Sequence, residues 1–483
     1  MASPFGPVLG VGAPTPSCRP DSQRRDSRAG TCRTWRRMVS GELLRVAVRG
    51  AKPLGTVMRT VWGRAAAAVG AVAVTTVVGA QTPAAPKVAA FAADRLARID
   101  VVMNEYVTRG ALPGSVVLVL HDGVPVYNKA FGWADKESGR KMTTDALFRI
   151  ASQTKAITST AIMMLWEEGK LMPTDRVSRY VPSFSSSWVA VRADNALGME
   201  LVPAKRAITI KDLLTHTSGM SYGTDARVAK LYEANGFGPA AGLGWYFADK
   251  DEPICDAIDR LGTLPLVAQP GEAWVYGYST DILGCIVERA SGQPLDVFIR
   301  ERITKPLGMT DTFFWVPGDK ASRLTTVYAS GPDGLAVRAP EGPKGQGEYV
   351  GGPKRALSGG AGLISTARDY ARFLEMIRQG GALGGVRLLS PKTASLMTLN
   401  ASGTLHSSTG MGYSMGFETT EFFGGNGLSS GGAYGWGGAY GSVYRVDPVD
   451  KITMVFLMQL MPNMTDIREK FPTLVYQAFV RKP

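Results

Sequence analysis

A serine and a lysine stand three residues apart at the start of an apolar helical run. They are Ser152 and Lys155, which precede the run 156–168. If Ser152 opens this helix, Lys155 lies one turn along the same face, with its side chain directed back toward the helix start. An amine beside a serine hydroxyl can take its proton and make it a nucleophile, and the free N–H groups of a helix start favour a developing anion. The pattern predicts acyl-transfer chemistry.

Two later segments could supply partners for this pair. Tyr276 and Tyr278 precede a helical run at 280–289, and a glycine-dense stretch at 424–441 surrounds Trp436. Each has a simpler interpretation, because Ser-x-x-Lys occurs on many solvated helices, Tyr276 could be a core aromatic, and Trp436 could pack beside a glycine hairpin. We interpret His216 as a structural histidine that is hydrogen-bonded at a helix end, not as a catalyst.

The charge distribution argues against a nucleic-acid partner. The net charge is +13, but residues 1–80 hold twelve Lys and Arg against three Asp and Glu, which leaves only +4 for the remainder. That remainder has no basic stripe interleaved with aromatic residues. The three histidines, His121, His216 and His406, are far apart in sequence and have no second ligand at metal spacing. We predict neither a metal site nor a cofactor.

The first eighty residues have the composition of a leader. Residues 1–57 are rich in Arg, Pro and Ser without apolar periodicity, which predicts disorder or translation from a start codon placed too far upstream. Within residues 58–80, a short basic segment is followed by apolar residues and then by small residues, as in a secretory signal peptide cleaved before Gln81. The apolar run at 65–78 is shorter than the ~20 residues that a membrane span needs. We expect a periplasmic or secreted protein with no stable membrane span after cleavage.

Two of the four cysteines belong to the mature chain. Cys18 and Cys32 fall in the leader, whereas Cys255 and Cys285 follow it. The latter two could pair in an oxidising compartment, yet each lies in an apolar helical pattern where a buried free thiol is common. We favour two thiols over a disulfide.

The remaining chain, 81–483, predicts an α+β fold. An amphipathic helical pattern covers 86–110, Asp122-Gly123 marks a β-hairpin, and a helical pattern at 464–480 closes the chain after strand-like runs. The two chain ends thus bring one helix each to an antiparallel sheet, with a mostly helical second subdomain between them. We place the sheet part at about 87–150 and 360–483 and the helical part at about 152–350.

Several motifs in one order resemble the serine β-lactamase and penicillin-binding-protein superfamily. The order is Ser-x-x-Lys, then a tyrosine-containing turn before a helix, then a Gly-rich strand near the C-terminus. More closely, the chain from about residue 93 to 483 resembles the class C β-lactamase-related enzymes called family VIII carboxylesterases. The strings similar to recurrent sequences of that family lie at 213–219, 306–309, 360–366 and 388–391.

The resemblance implies roles for individual residues. Ser152 resembles the acylated nucleophile, Lys155 its proton acceptor, and Tyr276 the tyrosine that relays the proton between nucleophile, leaving group and water. The backbone N–H groups of Ser152 and Ala439 would form the oxyanion hole. The substrate would be bound by four residues near the turn and the Gly-rich strand, which are Tyr278, Trp436, Gly437 and Gly438.

The sequence departs from the superfamily pattern at two points. The usual Tyr-x-Asn is Tyr276-Gly277-Tyr278 here, and the usual Lys-Thr-Gly or His-x-Gly is Trp436-Gly437-Gly438. Both changes remove polar groups that would contact the substrate, and the second removes the cation for a substrate carboxylate. We expect a serine hydrolase of small, short-chain esters. A β-lactamase or D-alanyl-D-alanine carboxypeptidase is the first alternative, and a non-catalytic ligand-binding module is the second; the oligomeric state is left open.

Overall fold

The computed structural model describes residues 90–194, 198–238, 247–342, 345–407 and 409–480. The predicted leader, 1–57, and the predicted signal peptide, 58–80, lie outside these ranges. The strands, numbered in chain order, are β1 Gly114–His121, β2 Val124–Asp135, β3 Arg140–Lys141, β4 Phe148–Arg149, β5 Trp188–Arg192, β6 Met199–Pro203, β7 Tyr328–Ser330, β8 Ala336–Arg338, β9 Ile364–Ser365, β10 Ala382–Leu383, β11 Val386–Arg387, β12 Met411–Tyr413, β13 Glu418–Thr420, β14 Tyr434–Gly437, β15 Val443–Asp447 and β16 Ile452–Met458.

Ten α-helices lie in the described ranges. They are α1 Ala93–Thr108, α2 Thr154–Glu167, α3 Ile210–Leu214, α4 Ala229–Ala234, α5 Ile254–Leu261, α6 Ser279–Ser291, α7 Leu295–Ile299, α8 Ala367–Arg378, α9 Pro391–Met397 and α10 Ile467–Tyr476. Side-chain caps fix several starts: Thr209, Thr366 and Ser390 each accept a hydrogen bond from the backbone N–H three residues on. None of the helices in the described ranges has the length and apolar character needed to cross a membrane.

One eight-stranded sheet organises the molecule, in the order β12-β13-β14-β15-β16-β1-β2-β3. Its pairings are antiparallel, and β1 at the centre pairs with both the last strand, β16, and the second strand, β2. The β1–β2 hairpin turns at Asp122 and Gly123, whose φ values of 48° and 79° suit the tight turn predicted for this dipeptide. The N-terminal and C-terminal parts of the chain therefore share one sheet.

The two faces of the sheet bury different sets of side chains. Along β1, Val116 and Leu118 belong to the large core shared with α2 and α8, whereas Val117 and Val119 belong to a second core shared with α1 and α10. This alternation follows from the two-residue repeat of a strand. The N- and C-terminal helices thus cover one face, as the α+β prediction states.

The middle of the chain forms the predicted, mostly helical part. It contains α2 to α7, together with the small hairpin β5–β6. Cys255 at the start of α5 and Cys285 in α6 are joined by a disulfide bond. The expectation of two free thiols is therefore wrong: two apolar helical patterns were interpreted separately, whereas the helices pack side by side and bring the thiols together.

Candidate active site

The turn that carries Ser152 is conformationally unusual. A 3₁₀ turn, Ala151–Gln153, leads from β4 into α2. Ala151 has a φ of 46°, in the left-handed region that residues with a Cβ seldom occupy. It is fully buried, so the surrounding packing holds it in that conformation. Backbone strain of this kind clusters at functional sites, and here it turns the chain sharply at the residue before a half-buried serine.

The ammonium of Lys155 is fully buried beside that serine. Its Nζ lies 3.2 Å from Oγ of Ser152, 2.9 Å from the hydroxyl of Tyr222 and 2.8 Å from the carbonyl oxygen of Gly360. An ammonium has three N–H donors, and these three oxygens are acceptors for them. The structure therefore brings together the two residues of the predicted nucleophile–base pair and fixes the lysine from two further elements.

Tyr276 also reaches this centre. Its ring centroid lies 4.7 Å from Nζ of Lys155, and its hydroxyl accepts a hydrogen bond from Nε1 of Trp436 at 3.2 Å. Both aromatic residues are half-buried. Tyr276 and Trp436, predicted from separate motifs 160 residues apart, are thus in direct contact beside the lysine.

Sequence reasoning missed Tyr222. This residue is buried, contacts the lysine through its hydroxyl and packs edge-on against the ring of Tyr276 at 5.5 Å. The available signal was its position three residues after the string 213–219, which is similar to recurrent family sequences and contains the Ser-Gly turn after α3.

Tyr278 does not line the site, and its predicted role in substrate binding is wrong. Its side chain is fully buried, and its hydroxyl accepts a hydrogen bond from the backbone N–H of Gly238 at 3.0 Å. Its ring packs against Tyr222, Phe237 and Phe247. Burial raises the pKa of Tyr278 well above its usual value. Tyr278 packs against the ring of Tyr222 within the core, and its side chain would have to leave the core to contact a substrate.

The end of β14 comes against the turn that carries the serine. A Cβ placed on Gly438 would lie 2.7 Å from the carbonyl oxygen of Ile150, closer than side chains approach. Ala439, the next residue, packs against the small cluster that contains Ala151. The backbones of Ala439 and Ser152, predicted to form the oxyanion hole, therefore belong to neighbouring segments, and their joint role stays a prediction.

The guanidinium of Arg468 lies against the Gly-rich strand. A Cβ placed on Gly437 would be 2.2 Å from Nη2 of Arg468, in the first turn of α10. Burial lowers the pKa of Arg468, while the nearby Glu418 and Tyr276 favour its charged form. Arginine stays protonated in proteins. The Trp-Gly-Gly triplet itself supplies no cation, as predicted, but α10, which only the fold brings close, places one beside the strand.

Aromatic and imidazole rings pack together around Tyr276. The ring of His216 lies 4.8 Å from that of Tyr276, and the ring of His406 lies 4.4 Å from that of Trp274. Burial, and then the charge of Lys155, hold the pKa of His216 well below its ordinary value, so it is neutral at pH 7. Within the described ranges, no group of three or more His, Cys, Asp or Glu residues could hold a metal ion.

This fold and this cluster define a class of enzyme. An antiparallel sheet with a helical second part, and a serine and a lysine one turn apart at the start of a buried helix, are the features of serine hydrolases of the penicillin-binding-protein type. Residues 99–477 match the family described as Beta-lactamase. The chain belongs to this family and is a serine hydrolase.

Three known proteins illustrate the range of activities among similar chains. Esterase EstB of Burkholderia gladioli is 31% identical over 384 residues, which cover 76% of this chain and 91% of EstB. A candidate D-alanyl-D-alanine carboxypeptidase of Escherichia coli K12 is 30% identical over 399 residues, covering 78% of this chain and 85% of that protein. The solved structure of EstCE1, a hydrolase with promiscuous acyltransferase activity, superposes with a TM-score of 0.63 at 29% identity and covers 80% of this chain and 98% of its own.

Proposed function

We propose that the protein hydrolyses small, short-chain carboxylic esters through an acyl-enzyme on Ser152. The observation that carries the proposal is the contact between Nζ of Lys155 and Oγ of Ser152, with Tyr276 packed beside the same lysine. A pure binding module has no need of these three residues together.

The chemistry follows from the positions of these groups. When the amine of Lys155 is neutral, its lone pair faces Ser152 and takes the hydroxyl proton as Oγ forms a bond to the ester carbonyl carbon. The carbonyl oxygen holds the displaced electron pair until the C=O bond re-forms and the C–O bond to the alcohol breaks. Tyr276 donates its proton to the departing oxygen and regains one from the protonated Lys155, which returns to the neutral amine. Water repeats the sequence on the acyl-enzyme and releases the acid. Backbone N–H groups of Ser152 and Ala439 would stabilise the oxyanion, each by roughly 2.7–4 kcal/mol.

The composition of the surrounding wall supports an uncharged ester. The resemblance to the superfamily implies a lysine or histidine at the position of Trp436, which here packs with Tyr276 and Trp274. An alkyl or aryl group can lie against such rings without a charged partner, whereas a carboxylate loses hydrogen bonds unless a cation receives it. The similarity to EstB, an esterase, supports ester hydrolysis, and the similarity to EstCE1, a hydrolase with promiscuous acyltransferase activity, supports acyl transfer.

The test compares kcat/KM for p-nitrophenyl acetate and butyrate with kcat/KM for nitrocefin and a D-Ala-D-Ala peptide. We expect the esters to be preferred, Ser152→Ala to lose turnover, and a fluorophosphonate probe to label the peptide that contains Ser152. Equal or better turnover of nitrocefin or of the peptide would overturn the substrate assignment. Full esterase activity in Ser152→Ala would overturn the mechanism.

One observation favours a second candidate, a hydrolase of substrates that carry a carboxylate. Arg468 lies against Gly437 on the Gly-rich strand and could receive such a group. The similarity to a candidate carboxypeptidase is consistent with this alternative. The nitrocefin and peptide measurements above separate it from the first proposal.

We also propose that the protein is exported and begins near Gln81 after cleavage. The basic, apolar and small residues of 58–80 support this, and so does the disulfide between Cys255 and Cys285, since disulfides persist mainly in oxidising compartments. N-terminal sequencing of the protein from culture medium or periplasm tests it. An intact cytoplasmic chain beginning at Met1 would contradict it.

A further inference from the structure

A glycine-rich segment, Ser358–Ala361, is held between α2 and α6. From α2, Thr158 donates a hydrogen bond to the carbonyl of Gly359 at 2.8 Å, and Lys155 donates one to the carbonyl of Gly360 at 2.8 Å. From α6, one oxygen of Asp281 accepts hydrogen bonds from Oγ of Ser358 at 2.5 Å and from the N–H of Gly360 at 3.1 Å. The N–H of Gly360 is thus hydrogen-bonded to Asp281, and the carbonyl of Gly360 is hydrogen-bonded to Lys155.

The close approach of the carboxylate requires glycine. A Cβ placed on Gly360 would lie 2.4 Å from Oδ2 of Asp281, and one on Gly359 would lie 2.6 Å from the carbonyl oxygen of Thr280. No side chain other than hydrogen fits at either position without displacing α6. This accounts for the Gly-Gly pair at 359–360.

Asp281 is a buried carboxylate that the proposed reaction does not use. It is fully buried, and its Oδ2 makes no hydrogen bond with the part of the chain that the structure describes. The ionisable side chains that interact with it electrostatically are Lys155 on α2, which favours the anion, and Tyr278 at the start of α6. The segment 358–361 contributes only hydroxyl and peptide groups. Burial raises the pKa of Asp281 to about 6.

We propose that Asp281 is a positioning residue for Lys155: its carboxylate holds the N–H of Gly360, the residue whose carbonyl accepts a hydrogen bond from the Lys155 ammonium, and its negative charge stabilises that ammonium as it forms. The inference rests on the proposed function, in which Lys155 takes the proton of Ser152. The proton passes from Oγ to Nζ, so positive charge develops near a buried anion, one oxygen of which accepts no hydrogen bond from the described residues. Such an anion lowers the energy of the protonated base in the transition state.

The test is Asp281→Asn, which preserves the shape and one acceptor oxygen but removes the charge. We expect kcat for p-nitrophenyl butyrate at pH 7.5 to fall by roughly 10- to 100-fold, the scale of a misplaced catalytic group, with KM nearly unchanged. In the unmodified protein kcat/KM should also decline on the acid side as Asp281 takes up a proton near pH 6. That acid limb should be absent from Asp281→Asn. An unchanged kcat, or a variant that keeps the same limb, would overturn the proposal.

Glu288→Gln is the matched control. Glu288 lies on the same helix and accepts a backbone hydrogen bond from Leu295 at 2.9 Å, away from Lys155. This variant should keep the kcat and the acid limb of the unmodified protein. If both variants lost activity equally, Asp281 would be merely structural.

A second measurement separates this inference from the proposed function. The rate of fluorophosphonate labelling of Ser152 should fall in Asp281→Asn in parallel with kcat, while circular dichroism reports whether the variant is folded. An unmodified protein without esterase activity, or an active Ser152→Ala, refutes the proposed function. If the unmodified protein is active, Ser152→Ala is inactive and Asp281→Asn is unaffected, only the role of Asp281 is refuted.

Discussion

The hydroxyl of Tyr222 accepts a hydrogen bond from the ammonium of Lys155 at 2.9 Å, although 67 residues separate the two in sequence. The same ammonium lies 3.2 Å from the Ser152 hydroxyl. Two tyrosines therefore flank one lysine: Tyr222 through its hydroxyl, and Tyr276 through its ring, with the hydroxyl turned to Trp436. Their different contacts lead to different expected mutant phenotypes.

Tyr276→Phe should lower kcat for p-nitrophenyl butyrate by about 10²–10⁴-fold, the usual contribution of a general acid–base group. Tyr276 is half-buried and faces the leaving group in the proposed mechanism. Tyr222→Phe removes one hydrogen bond to the Lys155 ammonium and should cost roughly 10- to 100-fold, since a hydrogen bond to a charged group contributes about 1.5–3 kcal/mol. Steady-state kinetics of both variants check this, and a larger loss in Tyr222→Phe would assign the proton relay to Tyr222 instead.

Tyr278→Phe serves as the control for this pair. A role in substrate binding would make this variant change KM, but the hydroxyl is buried and accepts a hydrogen bond from the backbone N–H of Gly238. The variant should keep its kinetic constants and lose roughly 1–3 kcal/mol of unfolding free energy, the cost of an unsatisfied buried N–H.

Local patterns predicted the elements well. The hairpin at Asp122-Gly123 and the helix after Ser152 both depend on neighbours within a few residues. The Ser152–Lys155 contact was predictable for the same reason, because helical geometry alone sets the distance between residues three apart.

Contacts between distant segments were not predictable. Tyr278 stands two residues from Tyr276, yet one is in the core and the other in the site, and no local rule distinguishes them. Arg468 reaches Gly437 only because α10 packs on the sheet, and Cys255 meets Cys285 only because α5 packs on α6. These contacts result from tertiary packing, which the spacing of residues in the sequence does not predict.

Removing the disulfide should destabilise the protein. Cys255 and Cys285 are 30 residues apart, and closing a loop of that length corresponds to about 3–4 kcal/mol of chain entropy in the unfolded state. The double variant Cys255→Ser, Cys285→Ser should therefore unfold at a lower denaturant concentration than the oxidised protein. Treatment of the unmodified protein with dithiothreitol should move its midpoint toward that of the variant. Identical midpoints with and without the reductant would show that the thiols are not paired in solution.

The pH dependence of stability should report the buried carboxyl of Asp281. Its pKa in the folded protein is raised from 3.8 to about 6, so between these values the folded state binds a proton that the unfolded state has released. The contribution of this group to the free energy of unfolding is therefore greatest below pH 4 and is lost as the pH rises to about 6. Two pKa units correspond to roughly 3 kcal/mol.

Denaturant titrations of Asp281→Asn and of the unmodified protein between pH 4 and 7 measure this effect. The free energy of unfolding of the variant, relative to that of the unmodified protein, should increase across this range and level off above pH 6. A constant difference between the two proteins would mean that Asp281 has an ordinary pKa in the folded state.

Arg468→Gln should separate substrates by their charge. The guanidinium lies against Gly437, on the strand beside Trp436, so it can receive a substrate carboxylate through charge-assisted hydrogen bonds. Loss of such bonds costs about 1.5–3 kcal/mol, which corresponds to a fall of roughly 10- to 100-fold in kcat/KM for nitrocefin, a carboxylate-bearing β-lactam. p-Nitrophenyl butyrate carries no charge, so it loses no ionic partner in Arg468→Gln. Its kcat/KM should therefore stay nearly constant. Arg445→Gln is the control, because Arg445 lies on the adjacent β15 but donates to Asn426 and Ser429. If Arg468→Gln lowered kcat/KM equally for both substrates, its role would be to support the sheet and not to recognise a carboxylate.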